Sequence, residues 1–167
     1  AIRLSLVGSE MCIRDSDDLP EPFDGLFISV NLTKVDAESD IPSDNGVFTV
    51  PFRKLADNTS NISIGYDKGK LDMRLSLAQR SDYLDYLADD DIETTVEDLN
   101  YDNIRFTDDH SQIDFTAKYY LNDNLTLKFD LININDEPEF YYWGNTSRLS
   151  QYDEYGTSAT IGFTYTY

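Results

Sequence analysis

The chain has 167 residues, with 13 Lys+Arg against 32 Asp+Glu and a formal net charge of -19. That balance excludes a nucleic-acid binder, which grips phosphates with clustered Lys and Arg, and no run of about eighteen apolar residues offers a membrane-spanning helix. Aromatics at 13 % are too many for an acidic disordered chain, and the single Cys excludes a disulfide framework or a multi-cysteine zinc site.

Residues 1–16 read AIRLSLVGSEMCIRDS. Ile2, Leu4 and Leu6 alternate, but Gly8-Ser9-Glu10 is expected to stop them, and no signal-peptide pattern is present. The stretch SLVGSEMCIRDS resembles translated sequencing adapter, so residues 1–16 are read as a non-native tail and 17–167 as the protein proper. Leaving the tail out removes two basic and two acidic residues and keeps the net charge at -19.

From Leu26 onward the apolar period is two, the signature of half-buried strands. The first stripe is Leu26, Ile28, Val30, Leu32; the second Ile62, Ile64, Tyr66, after Ser60; the third Leu71, Met73, Leu75, Leu77. Ile113, Phe115, Ala117, Tyr119 form the fourth, and Leu125, Leu127, Phe129, Leu131 the fifth. The sixth runs Tyr155, Thr157, Ala159, Ile161, Phe163, Tyr165, Tyr167. Each predicted strand is about eight to thirteen residues, against the 9–11 that cross a bilayer when tilted.

The connections alternate. Asp67-Lys68-Gly69-Lys70 is a tight hairpin signal, its loop expected to be Lys68-Gly69 or all four residues. Asn122-Asp123-Asn124 is a three-residue link, with Asn124 expected in the left-handed conformation. Apolar parity changes from even to odd across the first turn, which demands an even loop, and stays odd across the second, which demands an odd one. The remaining links, about 36–57, 82–110 and 134–153, are expected to be long acidic loops gathered at one end of the sheet. Outer-membrane barrels have that asymmetry.

One sheet of a soluble sandwich would also alternate. Three features favour a barrel wall. The polar stripes carry Asp72, Arg74, Arg80, Asp114, Lys118, Lys128 and Asp130 mid-strand, which an aqueous or plugged lumen accepts. Tyr66, Tyr119, Tyr155 and Tyr165 sit towards stripe ends, as an interfacial girdle would. Phe163, Tyr165 and Tyr167 alternate at the C-terminus and resemble an outer-membrane assembly signal. The predicted fold is therefore all-β: an antiparallel up-and-down meander of about six strands, an open arc of a large transmembrane β-barrel.

Chemistry finds little footing. His110 is the single histidine, beside Asp108 and Asp109, and is read as a polar rim residue. Asp89-Asp90-Asp91 lacks EF-hand spacing and is read as a solvated loop. No G-x-S-x-G elbow or Gly-rich phosphate loop occurs. No catalytic residue, metal site or cofactor is assigned, and the chain is not expected to be an enzyme. Tyr141, Tyr142 and Trp143, expected in a loop, could stack on a ligand ring, with Arg148 a possible loop anchor.

The segment Asn133 to Tyr167 resembles the C-terminus of a TonB-dependent receptor. It carries Asn133, Asp136-Glu137-Pro138, Gly144-Asn145-Thr146-Ser147-Arg148, Gln151-Tyr152-Asp153-Glu154-Tyr155-Gly156 and a strand ending in an aromatic. Residues 19–33, 61–76 and 114–138 also resemble the family. Tyr167 stands where Phe is usual, and no stretch here resembles a plug domain or TonB box. The resemblance implies a Gram-negative outer-membrane importer whose large barrel encloses an N-terminal plug. It implies uptake of a scarce nutrient, a siderophore, cobalamin or oligosaccharide, bound at extracellular loops and plug. Implied partners are outer-membrane lipid, the rest of the barrel and plug, the TonB complex and the barrel-assembly machinery. Two other readings stand beside it: a secreted acidic β-sandwich that binds carbohydrate through Trp143, and a small structural outer-membrane barrel.

Overall fold

The structure, a computed structural model, describes residues 2–13, 20–43, 46–87 and 104–167. Asp89-Asp90-Asp91 lies outside the described residues. The described residues form twelve strands: β1 Ile2–Ile13, β2 Leu26–Ser43, β3 Gly46–Pro51, β4 Asn58–Lys68, β5 Leu71–Arg80, β6 Tyr83–Leu87, β7 Ile104–Thr107, β8 His110–Asn122, β9 Leu125–Ile132, β10 Glu139–Trp143, β11 Leu149–Asp153 and β12 Ser158–Tyr165. All pairings are antiparallel. The main sheet follows the order β1-β2-β4-β5-β8-β9-β12, with β3 folded back on β2, and curls into a half-barrel.

The six predicted strands are β2, β4, β5, β8, β9 and β12, in the predicted order. Their register keeps the two chemistries apart across the whole arc. One row reads Ile28, Ile64, Leu75, Phe115, Leu131, Ala159. The row one residue away reads Phe27, Gly65, Arg74, Thr116, Asp130, Thr160. A slip by one residue in any pair would put charges among the isoleucines, so patterning alone fixes the register.

Four expectations need correcting. Gly8-Ser9-Glu10 does not end a strand: β1 runs through it and pairs with β2 from Ile2↔Ser39 to Ile13↔Ile28. Backbone pairing tolerates Gly there, because partner hydrogen bonds need no side chain. Asn124 is not left-handed; among described non-Gly residues only Lys54, Asn133 and Asp136 have positive φ. The odd count is met instead by a bulge between Tyr120 and Asn122, one extra residue on β8, and the Asn122 carboxamide accepts from the Asn124 and Leu125 N–H at 3.0 and 2.9 Å. Third, the long links are not plain loops: β3, β6, β7, β10 and β11 lie within them. Fourth, the last strand begins at Ser158, not Tyr155, because Gly156 turns the chain at φ 72°. The other hairpin has the expected even count, but its loop is Gly69-Lys70, because Lys68 still pairs with Leu71 and Gly69 at φ 62° supplies the turn.

The second sheet has the order β11-β10-β7-β6. That is the lateral order of β12, β9, β8 and β5, whose prolongations these four strands are. The breaks fall at turn-forming residues: Ser81-Asp82, Asp108-Asp109, Asn133 to Pro138, and Glu154 to Thr157. The upper sheet therefore extends the arc at its long-link end and does not lie across it.

Burial follows the same division. Among described residues the buried apolar side chains are Ala37, Val50, Leu84, Ile104 and Tyr142, all at the long-link end. The stripes of the arc remain open: Ile64 is 48 % exposed, Leu127 43 %, Phe163 74 % and Ile161 82 %. A soluble sandwich would bury those columns beneath a second layer; none covers them here among the described residues. On β2 the face carrying Leu26 to Leu32 continues as Lys34, Asp36, Glu38 and Asp40, while Ala37 on the other face is buried. The apolar band thus ends abruptly. Its seven residues from Leu26 to Leu32 span about 20 Å along the strand.

Gly65 has a packing reason. A Cβ there would lie 2.2 Å from Phe27 Cζ and 2.8 Å from the Met73 carbonyl oxygen. Phe27 rests over this gap, and the Arg74 guanidinium sits 5.3 Å from its ring centroid. Gly65→Val should cost about 1–3 kcal/mol, the usual range for overpacking, because backbone as well as ring must move. Urea unfolding of the variant, with Gly162→Val as control, checks this: a Cβ at Gly162 meets nothing within 4 Å.

Candidate functional site

The side chains with functional potential collect where the arc meets the upper sheet. Arg80, the last residue of β5, donates from Nη1 to the Asp108 carbonyl at 2.7 Å and lies 3.5 Å from Glu139 Oε1. Its guanidinium stacks 5.0 Å from the Tyr83 ring. Tyr141 donates its hydroxyl to Glu139 Oε2 at 2.6 Å. Arg105, paired with Asp85 through Nε and Nη2, lies 5.2 Å from the Tyr141 ring and 6.0 Å from the Tyr86 ring. Arg53 reaches Tyr86 at 5.8 Å. Arginine, carboxylate and phenol thus alternate along one side of the upper sheet. The Arg80 and Arg105 guanidiniums are each held both by charge and by an aromatic face.

Tyr141, Tyr142 and Trp143 are not in a loop. They occupy β10, and alternation sends them to different sides. Tyr141 belongs to the arginine network. Tyr142 is 7 % exposed; its ring stacks on Phe106 at 5.6 Å, packs near Phe140 at 6.3 Å, and its hydroxyl donates to Asp82 at 3.2 Å. It belongs to the interior, not to a ligand-facing surface. Trp143 pairs with Arg105 across the ladder. Arg148 closes the β10–β11 turn, its carbonyl accepting from the Trp143 N–H at 2.9 Å. The proposed assembly residues stand at the other end of the molecule. Phe163 and Tyr165 share the exposed apolar face of β12, and Tyr167 follows the strand. Thr166 is tied to the β8–β9 turn by its N–H to the Asn124 carbonyl at 2.9 Å and its carbonyl to Asn124 Nδ2 at 2.6 Å.

Sequence reasoning found Arg80 as a charge on the polar face and missed Tyr83, Tyr86, Arg105 and Glu139. These sit on short strands inside stretches read as loops. The x-Tyr-x-x-Tyr pattern at 83–86 and the alternation of Glu139, Tyr141 and Trp143 were the available signals.

Electrostatics here are dominated by burial among carboxylates. Burial pushes the Asp108 carboxyl up; the hydrogen bond from the Asp109 N–H opposes this, and the Asp109 charge adds to it. The hydrogen bond to Glu139 pushes the Tyr141 phenol up strongly. Burial, with the nearby Asp82 charge, pushes Tyr142 up from 10.0 to about 12. A phenol raised in the fold contributes stability that is complete below about pH 10 and is lost as pH rises through about 12. Absorbance titration of phenolate should therefore show a late fraction of the tyrosines ionising near pH 12, and Tyr142→Phe should remove part of it. Uniform ionisation near pH 10 would contradict the packing described.

A cleft of about 300 Å³ opens at the base of this network, between β8, the 133–138 link and the approach to β12. Compared with protein-family models, curated proteins and solved structures, the chain matches none.

Proposed function

We propose that this chain is the C-terminal part of the barrel of a TonB-dependent receptor, an outer-membrane importer of a scarce nutrient. The observation that carries the reading is the uncovered apolar band. Every residue of the six stripes is exposed or half-exposed, while the buried apolar side chains gather beyond the band, at the long-link end. In water an open apolar band across neighbouring strands would drive association; against lipid tails it is the wall's natural exterior. The opposite face supports a filled or aqueous lumen. Asp72, Lys118 and Lys128 are cross-strand neighbours there, with Lys118 and Asp72 3.2 Å apart. Tyr66, Tyr119 and Tyr165 mark the short-turn rim of the band, and the upper sheet becomes the extracellular mouth. In this role the chain transports nothing alone, since six or seven strands cannot enclose a plugged lumen. The wall would work with the rest of the barrel, a plug, and the inner-membrane TonB complex that moves the plug, and assembly would start from the Phe163-Tyr165-Tyr167 stripe.

Expression tests this directly. The arc offers strand edges with unpaired backbone groups beside bare apolar columns. The polypeptide expressed alone, without amphiphile, should accumulate as insoluble inclusion bodies and refold only with detergent or lipid. A soluble monomer that unfolds cooperatively in plain buffer would contradict the proposal.

A further inference from the structure

The bare apolar band ends at one level on four neighbouring strands. Val30, Ile62, Leu77 and Ile113 form its last wholly apolar row towards the long-link end. The next row on the same face is Leu32, Ser60, Gln79 and Ser111. Its polar members are joined: the Ser60 hydroxyl donates to Gln79 Oε1 and Gln79 Nε2 donates to the Ser111 hydroxyl, both at 3.3 Å. Beyond it stands Lys34, opposite Asn58. Asn58 is tied to Ser81 by two hydrogen bonds at 2.9 and 3.2 Å. Asp109 ends this row, beside the Arg80↔His110 pair. The short side chains of Asn58, Ser60 and Ser81 leave a depression of about 560 Å³ between Lys34 and Asp109, with Leu32 in its wall.

Its two ends carry opposite charges. Lys34 is exposed, and no carboxylate pairs with it among the described residues of a chain that holds 32 acidic side chains. Asp109 is exposed too, and its charge lies against that of Asp108. Three strand spacings separate the ends, about 14 Å, a gap that an extended lysine and a small charged headgroup bridge together. A simple anion would meet the Lys34 ammonium but also Asp109, and Asp36 two residues further along the same face. A simple cation or a neutral molecule would leave Lys34 unanswered. A phosphate joined to an ammonium answers both ends. The rows below, through Leu32, Ile62 and Leu77, run straight into the exposed apolar columns and would receive hydrocarbon chains.

We propose that this depression binds a membrane lipid whose headgroup carries a phosphodiester and a primary ammonium. Lys34 holds the phosphate, Asp109 takes the ammonium, and Ser60, Gln79 and Ser81 hydrogen-bond the linkage between headgroup and chains. The site rests on the importer reading, since it needs the band to lie in lipid; it adds the choice of one headgroup from the bilayer.

The test uses the whole chain refolded in maltoside micelles, which carry neither phosphate nor charge. With Cys12→Ser as background, a fluorophore is attached at Ile62→Cys, one row below the depression, or at Leu127→Cys, three strands away on the same band. Tail-brominated phosphatidylethanolamine, the simplest lipid with that headgroup, is titrated in, with phosphatidylglycerol as the anionic comparator. Quenching at 62 should saturate with phosphatidylethanolamine at about fivefold lower lipid than with phosphatidylglycerol, the worth of one charged contact at a headgroup. The label at 127 should respond equally to both. Lys34→Gln should weaken phosphatidylethanolamine binding at 62 about fivefold, and Asp109→Asn should bring the two lipids level. Both side chains are exposed, and an unchanged response at 127 shows that the variants keep the band intact. Equal quenching at 62 by both lipids in the parent, stronger quenching by phosphatidylglycerol, or binding indifferent to Lys34→Gln would overturn the site. The importer reading fails separately, through the solubility of the chain without amphiphile: an insoluble chain that refolds in detergent but shows no headgroup preference loses only the site.

Discussion

Ile64→Arg should destabilise the chain refolded in phospholipid by about 2–4 kcal/mol, the cost of a cation on the lipid side near mid-bilayer. Ser63→Arg, one residue away, should cost no more than about 1 kcal/mol, the worth of its hydrogen bond to Ser76 at 2.9 Å. The contrast follows from the register. Ile64 lies in the row of Ile28, Leu75 and Phe115, whereas Ser63 lies in the polar row with Ser29, Ser76 and Asp114. Exposure makes the test sharp. Ile64 is 48 % exposed, so if that face met water its replacement by Arg would stay within about 0.5 kcal/mol, as surface changes usually do. Urea unfolding in vesicles, followed through the single Trp143, separates the two outcomes.

The second large effect belongs to Asn133. It sits at φ 58° and is 5 % exposed at the point where β9 leaves the arc. Its amide donates to the Glu137 carbonyl at 3.0 Å and towards the Gly156 carbonyl at 3.4 Å, and its Oδ1 accepts from the Glu137 N–H at 2.8 Å. Its backbone N–H donates to Asp114 at 2.9 Å and its carbonyl accepts from the Thr157 hydroxyl at 2.9 Å. One residue thus fastens β8, β9 and the approach to β12, its side chain holding the 133–138 link and Gly156 and its backbone N–H holding β8. Asn133→Ala should cost about 3–4 kcal/mol: three lost contacts at about 1 kcal/mol each, plus the left-handed backbone that Ala disfavours by about 1 kcal/mol. Asn133→Gly loses the same contacts and keeps the backbone, so it should be milder by about 1 kcal/mol. Equal stability of all three proteins would mean that the junction is not held here.

Much of the arc was legible because strand periodicity survives burial on one side only. Leu71 to Leu77 and Leu125 to Leu131 alternate without interruption, and the even and odd hairpins followed from parity. The mouth was not legible for a physical reason. β6, β7, β10 and β11 are four or five residues long, too short to establish a period, and interior packing takes residues from both faces, as with Tyr142 beside Tyr141. Asn124 shows a different gap: parity required one extra residue, and a bulge supplied it as readily as a left-handed turn. The candidate site divides likewise. The C-terminal aromatic stripe was visible in the sequence, whereas Arg80, Arg105 and Glu139 meet only through ladder pairings between distant segments.

The most direct test compares two adjacent positions. With Cys12→Ser as background, a fluorophore is attached at Leu127→Cys or at Lys128→Cys and the chain is refolded into vesicles of lipids brominated along their tails. The label at position 127 should be strongly quenched by the bromines and shielded from aqueous iodide, and the label at 128 should show the reverse. Equal quenching at both positions, or quenching from the tails at 128 alone, would mean that the apolar columns do not face the membrane.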